Sequence, residues 1–100
     1  MGAIKDNNYT EKEFEITYLF DAIGHPARKR MVDLLSQHPF CRNTDLALIL
    51  NLSPTAIMNH TNKLKRAKLV DIRYKQHHYE IVLDPKRLNL IMNYIEGLSV

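Results

Sequence analysis

Between Ser53 and Tyr79 the chain sets short hydrogen-bonding side chains and cations in close succession. Thr55, Asn59, His60 and Asn62 can each donate and accept at short range. Lys63, Lys65, Arg66, Lys68, Arg73 and Lys75 add positive charge against one carboxylate, Asp71. Amide side chains pair with base edges, while ammonium and guanidinium groups neutralise phosphates, so this mixture suits a nucleic acid. The charge is concentrated there. Residues 1–52 hold six basic and seven acidic groups, and residues 80–100 hold two and three, within a formal net charge of +3. A basic stretch attracts polyphosphate. A solvated basic face without a partner has the same charge, so charge alone leaves both readings open.

Other chemistries find less support. The chain has no Gly-rich phosphate loop, no nucleophile elbow and no carboxylate pair at a convincing spacing, so no enzyme is expected. The single cysteine, Cys41, excludes an internal disulfide framework and cannot alone supply the three or four ligands of a thiophilic-metal site. It reads as a reduced, half-buried thiol, with oxidant sensing or an inter-subunit disulfide as the alternative. His77, His78 and Asp84 could pool ligands across a dimer, but hydrated wing histidines are the simpler reading. His25 reads as a helix-entry residue. Phe14, Tyr18 and Phe20 fall at helical spacing, which favours core over a ligand pocket. No metal and no cofactor are expected.

The elements that would position these residues are legible from their punctuation. One hundred residues fit one domain spanning 1–100, with a polar, loose start over 1–10. No apolar run could cross a membrane and no secretory leader is visible, which points to the cytoplasm. Thr10 and Glu13 form a capping box before a first helix from about Glu11 to Ile23, ended by Gly24. Pro26 opens a second helix carrying Ala27, Met31, Leu34 and Leu35, stopped at His38-Pro39. Asn43 or Thr44 can cap a short third helix, Asp45–Leu50, with Asn51 left-handed behind it. Ser53-Pro54 opens a fourth helix that runs to about Ala67. Ile57, Thr61, Leu64 and Ala67/Lys68 form its inner stripe; Thr55, Met58, Asn59, Asn62, Lys63 and Arg66 form the opposite face. Val70, Ile72 and Tyr74, then Tyr79, Ile81 and Leu83, alternate as a two-stranded hairpin with Lys75-Gln76-His77 at its tip. Asp84-Pro85 opens the last helix. Its stripe of Leu88, Ile91, Met92, Ile95 and Leu98 suggests a dimer contact within residues 84–100, since a core this small gains from further burial.

A short helix and a capped polar helix joined by a tight turn form a helix-turn-helix, and the basic hairpin after it is a wing. The expected fold is therefore mainly α with a small hairpin, in the order α-α-α-α-β-β-α. A helix fits the major groove, and a basic tip can follow phosphates or enter the next minor groove.

The segments FDAIGHPARKRMVDLL, TDLALILNLSPTAIMNHTNKLKRAKLV and RYKQHHYEI resemble the ArsR-type winged-helix regulators of bacteria and archaea, over about residues 18–83. The specific marks are His25-Pro26-Ala27-Arg28, Asp45-Leu46-Ala47, Leu52-Ser53-Pro54-Thr55-Ala56-Ile57, Asn59-His60, Leu64 and Leu69-Val70 in that order. The resemblance implies a homodimer through the first and last helices, including Phe14 and Tyr18, acting on a pseudo-palindromic double-stranded DNA operator, mainly as a repressor. It implies base or nearby phosphate contacts from Thr55, Met58, Asn59, Asn62 and Lys63, with His60 a further candidate. Arg66, Arg73, Lys75, Gln76 and His77 would serve the backbone or wing, and Arg28 a structural or phosphate role. The chain departs from the family at Met58, usually small and polar, at Thr61, usually leucine, at Lys68, often glycine, and at a wing tip without glycine. The family's Cys-x-Cys metal pair would fall on Arg42, Asn43 and Thr44, with Cys41 one place early, and the last helix holds no histidine. A DNA-binding regulator without that metal site is thus the leading expectation. A protein-docking winged helix and an atypical metallosensor are the alternatives.

Overall fold

The computed structural model describes residues 8–99. Most of the loose start expected over 1–10 lies outside the described residues. Helix α1 (Glu11–Ile23) begins at the expected capping box: Thr10 Oγ1 accepts from the Glu13 amide at 3.1 Å, and Glu13 Oε1 accepts from the Thr10 amide at 2.9 Å. Gly24 closes the helix for want of room rather than for left-handed freedom. Its φ is −81°, but a Cβ there would meet the Phe20 carbonyl oxygen at 2.9 Å.

Helix α2 (Pro26–Gln37) is capped by His25, whose Nδ1 accepts from the Ala27 amide at 3.0 Å. The chain then turns into β1 (Cys41–Arg42) and helix α3 (Asn43–Leu50). Helix α4 (Pro54–Arg66) follows, its cap Ser53 accepting from Ala56 N–H at 3.1 Å. Strands β2 (Val70–Tyr74) and β3 (Tyr79–Leu83) form the hairpin. A 3₁₀ turn (Pro85–Arg87), capped by Asp84, leads into α5 (Leu88–Leu98).

Three differences from the sequence-based expectation stand out. The sheet has three strands, in the order β1-β3-β2, all antiparallel, because Cys41 and Arg42 pair with Ile81 and Glu80. Two residues are too few to show alternation, so this strand leaves no period to read. Helix α3 begins two residues before Asp45, and neither Asn43 nor Thr44 caps it. The cap position is Arg42, with no side-chain hydrogen bond, and Asn43 Oδ1 instead accepts from the Tyr79 amide at 2.9 Å, tying α3 to the wing.

The two helices of the central motif end alike. After α3, Asn51 is left-handed (φ 55°), with Leu52 N–H donating to Ala47 and Asn51 N–H to Leu48. After α4, Lys68 is left-handed (φ 59°), with Leu69 N–H donating to Leu64 and Lys68 N–H to Lys65. Both patterns are Schellman closures, which suit glycine and asparagine and tolerate lysine poorly. The core lies between these helices and the sheet: Leu19, Met31, Leu46, Ile57, Leu64, Leu69 and Ile81 are fully buried. Helix α1 packs on both α4 and α5, so it joins the central motif to the C-terminal helix.

Candidate nucleic-acid interface

Helix α4 divides its residues as the spacing requires. Ile57, Thr61 and Leu64 point into the core, and Thr61 satisfies its hydroxyl by donating to the Ile57 carbonyl at 2.7 Å. That bond explains how a threonine occupies a position where leucine would be simpler: its polar atom is spent within the helix. On the other side Thr55, Asn59, Asn62 and Arg66 are exposed along one stripe, and Lys63 and Lys65 flank it. Met58 is half-buried at the edge of the core, so only part of its side chain faces outward.

Several cations of this face already have neighbours on the protein. The Arg66 guanidinium lies 4.2 Å from the centre of the Tyr18 ring. Lys63 Nζ stands 3.9 Å from Asp21 Oδ2. In the wing, Arg73 is 3.7 Å from Glu80 Oε1 and 5.9 Å from the Phe40 ring. Exposed pairs of this kind contribute about 0–1 kcal/mol, so they orient the cations without withholding them from a phosphate. Tyr18, Asp21, Phe40 and Glu80 thus belong to the surroundings of the interface. Sequence reasoning missed these contacts because each residue lies on a different element from the cation it meets.

Lys75, Gln76 and His77 are exposed at the wing tip, closed by Lys75 N–H donating to the His78 carbonyl at 2.8 Å. Among the described residues the only left-handed positions are Asn51 and Lys68, so the tip turns without needing glycine. His78 is half-buried, its Nε2 3.8 Å from Glu80 Oε2.

Arg28 takes the structural role. It is 9% exposed, and its Nε and Nη2 donate to the carbonyls of Ala22 at 2.7 Å and Asp21 at 3.1 Å, at the end of α1. Its Nη1 lies 3.2 Å from His60 Nδ1. The His60 ring also rests against His25, with centroids 4.6 Å apart. His60 is therefore engaged on the protein's own side, unlike Asn59 and Asn62. Burial, then His25 and Arg28, hold its pKa below the ordinary histidine value.

The residues expected at a dimer contact fall into two groups. Met92, Ile95 and Leu98 are exposed on α5 (56%, 51% and 66%). Ile91 is buried within the protomer, while Phe14, Tyr18 and Leu88 are half-buried. Exposed Phe20 and Tyr94, 5.9 Å apart edge to face, extend the apolar surface across α1 and α5. Cys41 is buried in β1, and burial, then Asp45, pushes its thiol pKa up. Among the described residues no three His, Cys, Asp or Glu side chains converge, and no helix is long and apolar enough to cross a membrane.

Two helices joined through a left-handed asparagine, with a basic hairpin directly behind the second, define a winged helix-turn-helix. Residues 25–71 match the family described as bacterial regulatory protein, arsR family. A crystal structure described as an ArsR family transcriptional regulator superposes with a TM-score of 0.78 at 15% identity, covering 91% of this chain and 90% of that one. A possible transcriptional regulator for arsenical resistance gives 0.71 at 26% identity, over 81% and 83%. NolR from Sinorhizobium fredii gives 0.67 at 23%, over 86% of each. No curated protein matches the sequence. The chain thus has the fold of the ArsR-type winged-helix regulators, and its central segment, residues 25–71, matches the model of that family.

Proposed function

We propose that this protein binds a two-fold symmetric duplex site as a homodimer in the cytoplasm and represses transcription by occupying the promoter. The carrying observation is the exposed stripe of Thr55, Asn59 and Asn62 on α4, a helix anchored on its other face by fully buried Ile57, Thr61 and Leu64. Short amide side chains held on a rigid helix can read base edges in the major groove. Met58 adds apolar contact of the kind a thymine methyl accepts, while Lys63, Arg66, Arg73, Lys75, Gln76 and His77 serve phosphates on either side. The exposed Met92, Ile95 and Leu98, continued by Phe20 and Tyr94, support pairing through α1 and α5.

The reading includes no metal inducer. The positions of the family's thiol pair hold Arg42, Asn43 and Thr44, and Asn43 Oδ1 is committed to the wing backbone. Hard amide and hydroxyl oxygens do not replace two thiolates toward a soft metal. The similarity to a protein named for arsenical resistance is a similarity of fold.

Selection from a random double-stranded DNA pool, repeated at several salt concentrations with and without zinc, tests the proposal. The expected result is a palindromic consensus, affinity that falls steeply with salt, and no zinc response. Absence of binding at low salt would overturn the DNA reading in favour of a protein-docking role. A zinc-dependent release would overturn the metal-free one.

A further inference from the structure

The contacts of His60 carry a consequence for how α4 is held. We propose that His60, together with Arg28 and His25, is a positioning residue. It seats α4 against α2 and the end of α1 through an imidazole nitrogen that must be unprotonated, so that acidification unseats the helix and lowers DNA affinity.

The hydrogen-bond directions require this. A guanidinium nitrogen can only donate, so at 3.2 Å from Arg28 Nη1 the His60 Nδ1 must accept. Arg28 cannot adjust, because its Nε and Nη2 are held by the Ala22 and Asp21 carbonyls. His25 Nδ1 is likewise an acceptor, for the Ala27 amide. A proton on His60 Nδ1 would point at a donor and set a second cation beside the guanidinium. A proton on His25 Nδ1 would remove the cap of α2 and place charge against the His60 ring, 4.6 Å away between centroids. The three groups accommodate one positive charge, already carried by Arg28.

The other charges nearby do not relieve this. From α1, Asp21 meets Arg28 through its backbone carbonyl, and its carboxylate stands 3.9 Å from Lys63, a turn along α4 from His60. From the start of α2, His25 and Arg28 are the charges that act on His60. The resulting sign is clear. The seated state prefers neutral His60, whose pKa there is lowered by burial, His25 and Arg28. The unseated or unfolded state takes up the proton first. The stabilisation is complete above the ordinary histidine value, about 6.5, and is lost as pH falls below it toward the lowered value.

The effect on DNA rests on the DNA-binding reading, whereas the seating of α4 does not, so two measurements separate them. The first is an NMR titration of the imidazole and backbone signals of the intact protein. His60 should titrate below the ordinary value, and the α4 amides should shift along its curve. The second is the affinity for a fluorescent random-sequence duplex from about pH 7.5 to 5.5, a range spanning histidine titration. It compares the wild type with His60→Asn, whose Oδ1 can accept from Arg28 and does not titrate. Exposed His77 is the same in both proteins, so whatever it contributes cancels in the ratio. Wild-type affinity should fall several-fold relative to His60→Asn across the range. His60→Lys should bind weakly throughout. If His60 titrates normally and the α4 amides ignore it, or if the ratio stays flat in a protein that binds DNA, the proposal is wrong. If no duplex binds at any pH while the α4 amides still follow His60, the seating stands and the DNA reading falls.

Discussion

At the scale of single residues, the interface separates groups that face outward from groups that hold the outward ones still. Asn59 is exposed with no hydrogen-bond partner among the described residues, so Asn59→Ala should cost about 1–3 kcal/mol toward a selected operator and relax base preference at one position per half-site. Unchanged sequence ranking in competition binding would remove Asn59 from the readout. Arg28 belongs to the second kind. Arg28→Met leaves the Ala22 and Asp21 carbonyls without their donor, and we expect a loss of about 3 kcal/mol in urea unfolding. Tyr79 is the opposite case. Its hydroxyl is buried and makes no hydrogen bond within geometric limits among the described residues. Tyr79→Phe should therefore raise stability by about 1 kcal/mol, read as a higher urea midpoint at unchanged slope.

At the scale of elements, the helix-turn-helix depends on two left-handed residues, and only one is well chosen for it. Asparagine adopts this conformation at modest cost, whereas lysine at φ 59° carries a strain of about 1–2 kcal/mol. Lys68→Gly should stabilise the fold by about 1 kcal/mol despite the added freedom of the unfolded chain, and a thermal melt would show it. A lowered melting temperature would mean that the Lys68 stem packs more than its backbone strains. The wing behaves as an electrostatic element. Lys75 is exposed with no acidic partner among the described residues, so Lys75→Ala should weaken every duplex similarly and flatten the salt dependence by about one unit.

At the scale of the whole molecule, α1 carries the coupling. It packs on α5, where Met92, Ile95 and Leu98 are exposed and would meet a second copy in the proposed dimer, and on α4, whose exposed amides would face DNA. Arg66 on Tyr18 and Lys63 by Asp21 tie α4 to α1, while Arg28 of α2 holds the final carbonyls of α1 and meets α4 through His60. A two-fold axis near α1 and α5 would then fix the spacing of two reading helices, which half-sites about one turn (34 Å) apart require. Ile95→Asp should yield monomers by sedimentation and lower operator affinity, since burying a carboxylate in an apolar contact is costly. A dimer unaffected by that change would place the interface elsewhere.

The sequence alone determined the local order of this protein. Capping boxes, N-terminal prolines, apolar periods and strand alternation are written within a few residues of where they act, and they placed α1, α2, α4, β2 and β3 and the polar face of α4. It also supplied the resemblance to ArsR-type regulators, through marks spaced along one stretch. Tertiary structure alone decided what depends on residues distant in the chain. The pairing of Cys41 and Arg42 with β3 needs 39 residues of chain to return beside them, and a two-residue strand has no period of its own. Asn43 left the cap of α3 because the Tyr79 amide offered its oxygen a better use. His60 stands next to Asn59 in sequence yet faces a different environment, because helical geometry turns adjacent residues about 100° apart and Arg28, 32 positions earlier, waits on its side.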